Sequence, residues 1–214
     1  MISSPAFMAR RRRPTLRPST RSSASSGAPR LCDRVVVAIT GSVGALWAAQ
    51  FVLLLRAERY VRTVGVIMSE SATEFVTPAA MRALSGEPVL AKLFDAAAPF
   101  AVGHVQASEH AGLLIVMPAT ANIIGKVAGG IADETVSASV MAASCPVLFV
   151  PNMNDRMWRR SAVQRNIATL QRDGYHIVPP DEGIVVSTAR PATGGMPPFE
   201  TILQAAKRVL RRAR

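Results

Sequence analysis

Small polar residues follow the apolar runs of this 214-residue chain, and their types suit the binding of a phosphate or another anionic group. Residues 41–44 read Gly-Ser-Val-Gly, after a β-branched run and before a helical pattern. Backbone N–H groups and a hydroxyl at the start of a helix form a favourable phosphate site. Ser69 and Ser71 follow the next apolar run, where serine is also a common helix cap. The first segment is not the G-x-G-x-x-G fingerprint, so this pattern alone identifies no cofactor.

Three asparagines stand in two further loops. Asn122 ends the segment 118–122, Pro-Ala-Thr-Ala-Asn, and Asn152 and Asn154 belong to the segment 151–154, Pro-Asn-Met-Asn. Amides at the ends of buried strands cost free energy unless they bond each other or a ligand. These three therefore suit the orientation of a planar or anionic group.

One histidine is a candidate catalytic base. His104 precedes a helical stretch, and an imidazole titrates near neutral pH. No other histidine, cysteine or carboxylate stands at ligand spacing from it, so we expect no metal. The serines lack a G-x-S-x-G segment and a convincing His and acid partner set, which argues against a hydrolytic triad.

The elements that must position these residues alternate between strands and helices. Periodicity predicts strands over residues 35–39, 63–68, 113–117, 147–150 and 175–178, and helices over 46–56, 123–128, 156–172 and 199–212, with another helix after Ser71. Such alternation indicates an α/β fold with a mostly parallel sheet. Ligands of these folds collect at the carboxyl ends of the strands, where all the polar loops lie.

The formal charge of +11 belongs to the two ends of the chain. Residues 1–32 hold seven arginines and no acid, and the last fourteen residues hold five basic residues and no acid, so 13 basic and 14 acidic residues remain between them. A neutral body argues against nucleic-acid binding, and no apolar run reaches the roughly 20 residues of a membrane helix. Two isolated cysteines favour a reducing, cytoplasmic compartment.

We expect a basic, disordered N-terminal tail over residues 1–32 and one domain over 33–214. The tail is rich in Ser, Arg and Pro and lacks the apolar core of a secretory signal. A transit peptide has a similar composition, but disorder or a true start at Met8 is the favoured interpretation.

Taken together, these motifs resemble the homo-oligomeric flavin-containing cysteine decarboxylases over about residues 34–212. The matching segments are 41–43, His104, 118–123, 126–133, 151–154 and the pair Met157-Trp158. The resemblance implies a Rossmann-like or flavodoxin-like three-layer αβα fold, and FMN, with FAD as the alternative, bound between the subunits of a trimer. Four trimers often assemble into a dodecamer in this family. Ala132 departs from the pattern, since many relatives carry Cys there.

The resemblance also assigns roles to individual residues. His104 would be the catalytic base, and Asn122 would hold the reacting group. The substrate's cysteine carboxylate would meet Asn152, Met153 and Asn154. The flavin's phosphate, ribityl chain and ring would be surrounded by Gly41, Ser42, Val43, Ser69, Ser71, Thr120, Ala121, Asn122 and Ile123.

One departure bears on the branch of the family. Decarboxylases of phosphopantothenoylcysteine in coenzyme A synthesis carry a cysteine seven residues past a Pro-Pro pair, and it returns a proton to the intermediate. Counting from Pro180 gives Ser187 here, a much poorer acid. The chemistry should then stop at the unsaturated aminoenethiol, which resembles the peptidyl-cysteine decarboxylases of lanthipeptide and thioamidated-peptide biosynthesis.

The sequence therefore predicts an FMN-dependent decarboxylase that acts on the C-terminal cysteine of a ribosomally made precursor peptide. The alternatives are a phosphopantothenoylcysteine decarboxylase and a non-catalytic, flavin-binding regulatory subunit. The presence of His104 and of both asparagine motifs argues against the regulatory role. Residues 181–198, rich in Gly and Pro, read as a long loop that closes over the substrate.

Overall fold

Two regions of regular structure make up the protein, a six-stranded sheet flanked by helices and a small hairpin. In the computed structural model, residues 30–94, 103–185 and 190–213 are described. The strands are β1 Cys32–Ile39, β2 Val61–Met68, β3 Val89–Leu90, β4 Leu113–Ala119, β5 Val147–Pro151, β6 His176–Ile177, β7 Asp181–Val185 and β8 Arg190–Gly195. The helices are α1 Ala45–Ala57, α2 Pro78–Ser85, α3 Gly103–Ser108, α4 Ala121–Ala128, α5 Thr135–Met141, α6 Asp155–Trp158, α7 Ser161–Arg172 and α8 Phe199–Arg212, together with a 3₁₀ helix, Glu70–Glu74.

The sheet has the strand order β3-β2-β1-β4-β5-β6, and every pair in it is parallel. This is the order of the doubly wound Rossmann sheet, in which strands are added in one direction from β1 to β3 and in the opposite direction from β4 to β6. The expected α/β fold, with helices on both faces of a mostly parallel sheet, is confirmed.

Alternate residues of β1 contribute their side chains to two hydrophobic cores on opposite faces of the sheet. Val35, Val37 and Ile39 pack on one face with α1, α2 and α8, whereas Val36 and Ala38 pack on the other with α4, α5 and α7. All five side chains are fully buried. Burial on both faces explains the continuous apolar run in the sequence, because no residue of such a strand faces water.

The structure departs from the periodicity in two places. The helix expected over residues 156–172 is two helices, α6 and α7, because the backbone of Arg160 is extended (φ −65°, ψ 132°). The loop expected over 181–198 contains the antiparallel hairpin of β7 and β8. Its second strand, Arg-Pro-Ala-Thr-Gly-Gly, has little intrinsic β-propensity, so pairing with β7 and contacts with α6 decide its conformation.

Within the described residues, no helix combines the length and the apolar character that crossing a membrane requires. Helix α8, which covers one face of the sheet, is amphipathic. Ile202, Leu203, Ala206 and Val209 are buried on one side of α8, and its basic residues are half-buried or exposed.

Substitution of Phe51 tests the packing of α1 on the sheet. The Phe51 ring is fully buried and lies 5.4 Å, centroid to centroid, from the ring of Phe199 on α8. We expect Phe51→Ala to lower the free energy of unfolding by about 3–5 kcal/mol, because a large buried ring leaves a cavity. Leu53→Ala, at a position 48% exposed on the same helix, should change it by only about 0.5 kcal/mol. Equal urea midpoints for the two variants would contradict the assignment.

Candidate active site

A polar crevice opens at the carboxyl ends of β1 and β4, where the sheet reverses its order. Thr40, which follows β1, is 2% exposed. Its hydroxyl donates to the carbonyl of Pro118 at 2.7 Å, lies 3.2 Å from Thr120 Oγ1, and accepts the N–H of Thr120 at 3.2 Å. These bonds join the ends of the two central strands. Thr40 was not among the predicted site residues, although its position directly after a buried strand was a usable signal.

The loop after β1 also contacts the loop after β5. Ser42 Oγ donates to Asn152 Oδ1 at 2.7 Å and accepts the N–H of Gly44 at 3.0 Å. Asn152 is tied to the neighbouring strand by its own N–H, which donates to the carbonyl of Ala119 at 3.1 Å. The structure therefore brings together Ser42 and Asn152, two predicted site residues 110 positions apart.

Gly44 permits this close approach. A Cβ at this position would lie 2.5 Å from Asn152 Oδ1 and 3.1 Å from the Cβ of Pro118. Gly44 is also the N-cap of α1, and no side chain caps that helix. The first N–H groups of α1 bond within this loop, to Ser42 Oγ and to the carbonyls of Ser42 and Val43. The positive end of the helix dipole nevertheless favours an anionic group beside them.

The hairpin forms one wall beside Asn152. Asn152 Nδ2 donates to the carbonyl of Gly194 at 3.2 Å, and the N–H of Met153 donates to the same carbonyl at 3.1 Å. Gly194 has φ +132° and packs directly on the backbone of Met153, so only glycine fits there. The amide of Asn152 therefore holds the hairpin and Ser42 at once, and among the described residues its second Nδ2–H has no acceptor.

Ser69 and Ser71 lie together beside the first loop. Their hydroxyl oxygens are 3.1 Å apart, and a Cβ on Gly41 would collide with the side chain of Ser71. Ser69 is buried and caps the 3₁₀ helix by accepting the N–H of Ala72 at 3.2 Å. Ser69 thus has the structural role of a cap, whereas Ser71 is exposed at the crevice.

The start of α4 presents Asn122 to solvent. Thr120 caps this helix by accepting the N–H of Ile123 at 3.4 Å, and Ala121 and Val43 are half-buried. Within the described chain, Asn122 is exposed and its amide has no hydrogen-bond partner. Ile123 is 1% exposed and packs in the core, so its side chain faces away from a ligand in the crevice.

The remaining predicted residues divide between the site and its surroundings. Met153 is half-buried against the core, and Asn154 is the N-cap of α6, accepting the N–H of Arg156 at 3.0 Å. His104 lies in α3, but its side chain is outside the described residues, as is Ser187. The roles of His104, Asn122, Asn152 and Asn154 stay predictions.

The motif over residues 126–133 has a structural explanation. Lys126 Nζ donates to Asp133 Oδ1 at 2.7 Å, and this bond holds the pKa of the Asp133 carboxyl below its usual value. The next residue, Glu134, forms a capping box with Ser137 at the start of α5, and burial raises the pKa of its carboxyl. These contacts fix the turn between α4 and α5.

Comparison with known proteins identifies the family. The sequence profile of the flavoprotein family matches residues 24–211. The chain belongs to the flavoprotein family. Family membership confirms the expected flavin. Within the described parts of the chain, no group of three or more His, Cys, Asp or Glu side chains could hold a metal ion.

Relatives of this flavoprotein include the coenzyme A biosynthesis bifunctional protein CoaBC of Bacillus subtilis, 46% identical over 120 residues, which are 56% of this chain and 30% of the relative. CoaBC of Mycobacterium tuberculosis is 39% identical over 184 residues, 86% of this chain and 43% of the relative. The chain thus spans less than half the length of these relatives. The solved FMN-dependent cysteine decarboxylase SpaF is 31% identical with a TM-score of 0.72, over 85% of this chain and 97% of that one.

The residues of the crevice fit a flavin. They offer hydroxyl, amide and backbone N–H groups rather than charged side chains, and such groups bind both a phosphate and the polar edge of a planar ring. Gly41 and Gly44 let these loops pack closely at the switch point, the place where doubly wound sheets bind nucleotides. Gly41, Ser42, Ser71 and Thr120 border it.

Substitution of Gly44 by alanine tests whether the close packing of Gly44 on Asn152 shapes the flavin site. The added Cβ would displace Asn152 and loosen the Ser42–Asn152 bond, so we expect Gly44→Ala to retain at least tenfold less flavin on purification, measured by visible absorbance per protein. The matched control is Gly125→Ala on α4, where the new Cβ would meet only Asn166 at an ordinary 3.5 Å. A Gly44→Ala protein with the full flavin content would show that this packing does not shape the flavin site.

Proposed function

We propose that this flavoprotein is an FMN-dependent decarboxylase of substrates that end in a cysteine carboxylate. The observation that carries the proposal is the Ser42–Asn152 bond, which joins the loop expected to hold the flavin to the loop expected to hold the substrate. A flavin and a cysteine held by these two loops would lie side by side. The 31% identity to an FMN-dependent cysteine decarboxylase supports the same reaction and cofactor.

The reaction needs an electron sink, because a cysteine carboxylate cannot lose CO₂ unaided. A flavin held in the crevice would oxidise the carbon that carries the thiol to a thioaldehyde, whose C=S group would accept the electrons released with CO₂, and oxygen would then reoxidise the flavin. His104 would accept the thiol proton in that step. The exposed amide of Asn122 would orient the reacting group, and the remaining N–H of Asn152 would hold the carboxylate.

For the substrate, the relatives favour phosphopantothenoylcysteine. The chain is 46% and 39% identical to two CoaBC proteins of coenzyme A biosynthesis, higher than its 31% identity to the solved cysteine decarboxylase. This substrate is a cysteine with an acylated amino group, so it presents the same thiol and carboxylate as a C-terminal peptide residue. The comparisons thus support the alternative of the sequence analysis more strongly than its first choice.

One specific observation keeps a peptide ending in cysteine as the second candidate. Ser187 occupies the position at which the phosphopantothenoylcysteine decarboxylases carry the proton-donating cysteine. A serine hydroxyl has a far higher pKa than a thiol and is a poor proton donor to a carbon centre. The identity of the substrate and the saturation of the product therefore depend on different residues and are measured separately.

Mass spectrometry of both substrates tests the proposal. The flavin-loaded protein is incubated separately with phosphopantothenoylcysteine and with short peptides that end in Cys. We expect the true substrate to lose about 46 Da, CO₂ and two hydrogens, because the enethiol is not saturated without a proton donor. Turnover of phosphopantothenoylcysteine alone would identify the first candidate, and turnover of the peptide alone the second.

Two controls accompany this assay. A peptide ending in Ser has no thiol to oxidise and should keep its mass. His104→Asn should lower the rate about 100-fold or more while flavin remains bound, because it removes the proposed base. An unchanged mass for every cysteine-ended substrate would exclude the proposed decarboxylation.

The substitution Ser187→Cys tests which residue selects the product. A thiol at this position should supply a proton while the reduced flavin would return its hydride to the enethiol, so the product should shift from a loss of about 46 Da to a loss of about 44 Da. Thr188→Cys, which moves the thiol by one residue, serves as the matched control and should leave the product unsaturated. An active Ser187→Cys protein that still forms only the unsaturated product would remove residue 187 from this role.

A further inference from the structure

A second cleft lies away from the crevice, at the amino-terminal edge of β5 and β6. It has a volume of about 320 Å³, within the range of small-molecule sites, and it opens between the last strand and α8. The residues that matter for its chemistry are Leu148, Gln171, His176, Arg208, Val209 and Arg212. The flavin crevice begins beyond Pro151, at the other end of β5, so neither the flavin nor the proposed reaction uses this cleft.

The charged groups of the cleft are basic. Arg208 and Arg212 are one helical turn apart on α8, so their guanidinium groups project from the same side. His176 lies on β6, and burial, followed by the charge of Arg212, lowers the pKa of its imidazole. His176 is therefore neutral at pH 7 and can act as a hydrogen-bond donor. No acidic residue is among the described residues that line the cleft, and the two arginines give it a charge of about +2.

The floor of the cleft is apolar. Leu148, Val209 and Ala205 are almost fully buried beneath it, and the half-buried side chains of Tyr175 and Ile177 provide its exposed apolar surface. A ligand that matched only the arginines would leave this apolar surface in contact with water. An anion attached to a hydrocarbon chain would cover it and remove that apolar surface from water.

We propose that this cleft binds a soluble phosphate monoester that carries a short aliphatic chain. A phosphate monoester has a charge of about −1.5 to −2 at pH 7, which matches two arginines better than a single carboxylate does. Guanidinium groups bind phosphate oxygens in pairs, with Gln171 and His176 as further donors at the rim. The aliphatic chain would lie on Tyr175 and Ile177, above the buried Leu148 and Val209.

The surroundings favour a soluble molecule over a membrane lipid. Surfaces that bind membranes combine basic residues with exposed large apolar side chains. The nine exposed large apolar side chains of the described chain, among them Leu46, Phe94 and Met157, all lie outside this cleft. Its apolar groups form a recessed floor, which a membrane surface would not reach.

Calorimetry of the full-length, flavin-loaded protein tests the proposal with n-hexyl phosphate as the probe. We expect saturable binding at least tenfold tighter than that of inorganic phosphate, which lacks the chain, or of n-hexanol, which lacks the charge. The flavin must remain bound so that the probe does not occupy the crevice. Absence of saturable n-hexyl phosphate binding, or equal affinity for n-hexyl and inorganic phosphate, would overturn the proposal.

Variants on α8 locate the binding. Arg208→Gln and Arg212→Gln should each weaken binding about tenfold, and the double variant should abolish it. Arg211→Gln, which removes an exposed arginine of the same helix outside the cleft, is the matched control and should bind as the wild type does. Wild-type affinity in the double variant would overturn the proposal. The proposal would also be overturned if the wild-type protein sedimented with phosphatidic acid vesicles and the double variant did not. That result would identify a membrane lipid as the partner. Each result is independent of the decarboxylation assay.

Discussion

One buried hydroxyl group, that of Thr40, joins the two strands between which the sheet reverses its order. After β1 the chain passes to α1 on one face of the sheet, and after β4 it passes to α4 on the other. The backbones of β1 and β4 therefore diverge at this point, and their regular pairing ends at Ala38 and Val116. The bonds from Thr40 to Pro118 and Thr120 connect the strands beyond that pairing. The crevice depends on this connection, because its two walls are the loops that Thr40 joins.

The rest of the site is built outward from that junction by close contacts between loops. Gly44 lets Asn152 approach the start of α1, and Gly194 lets the hairpin approach Met153. Asn152 lies between them and bonds to both sides, through Ser42 and through the carbonyl of Gly194. Its amide thus holds two walls in register, which explains why an uncharged side chain with both a donor and an acceptor stands there.

The basic residues of the protein divide into groups with different surroundings. Most of the excess charge lies near the chain ends, and the crevice itself is lined by neutral donors. On α8, Arg208 and Arg212 face the second cleft, whereas Lys207 lies 6.0 Å from the centre of the Tyr60 ring. One cation of α8, Lys207, therefore lies against an aromatic ring, and two others, Arg208 and Arg212, line the proposed binding cleft.

The sequence by itself determined the parallel sheet, its two cores and the loops in which chemistry is expected. Residues 35–39 and 113–117 are continuous apolar runs because both faces of these strands are covered, and that pattern is local. Only the tertiary structure decided which loops meet. The Ser42–Asn152 bond, the hairpin at Gly194 and the cleft beside α8 join residues far apart in the chain, and no local pattern encodes such pairing. Contacts of this kind follow from the strand order and from the space left at each glycine, which exist only once the sheet has formed.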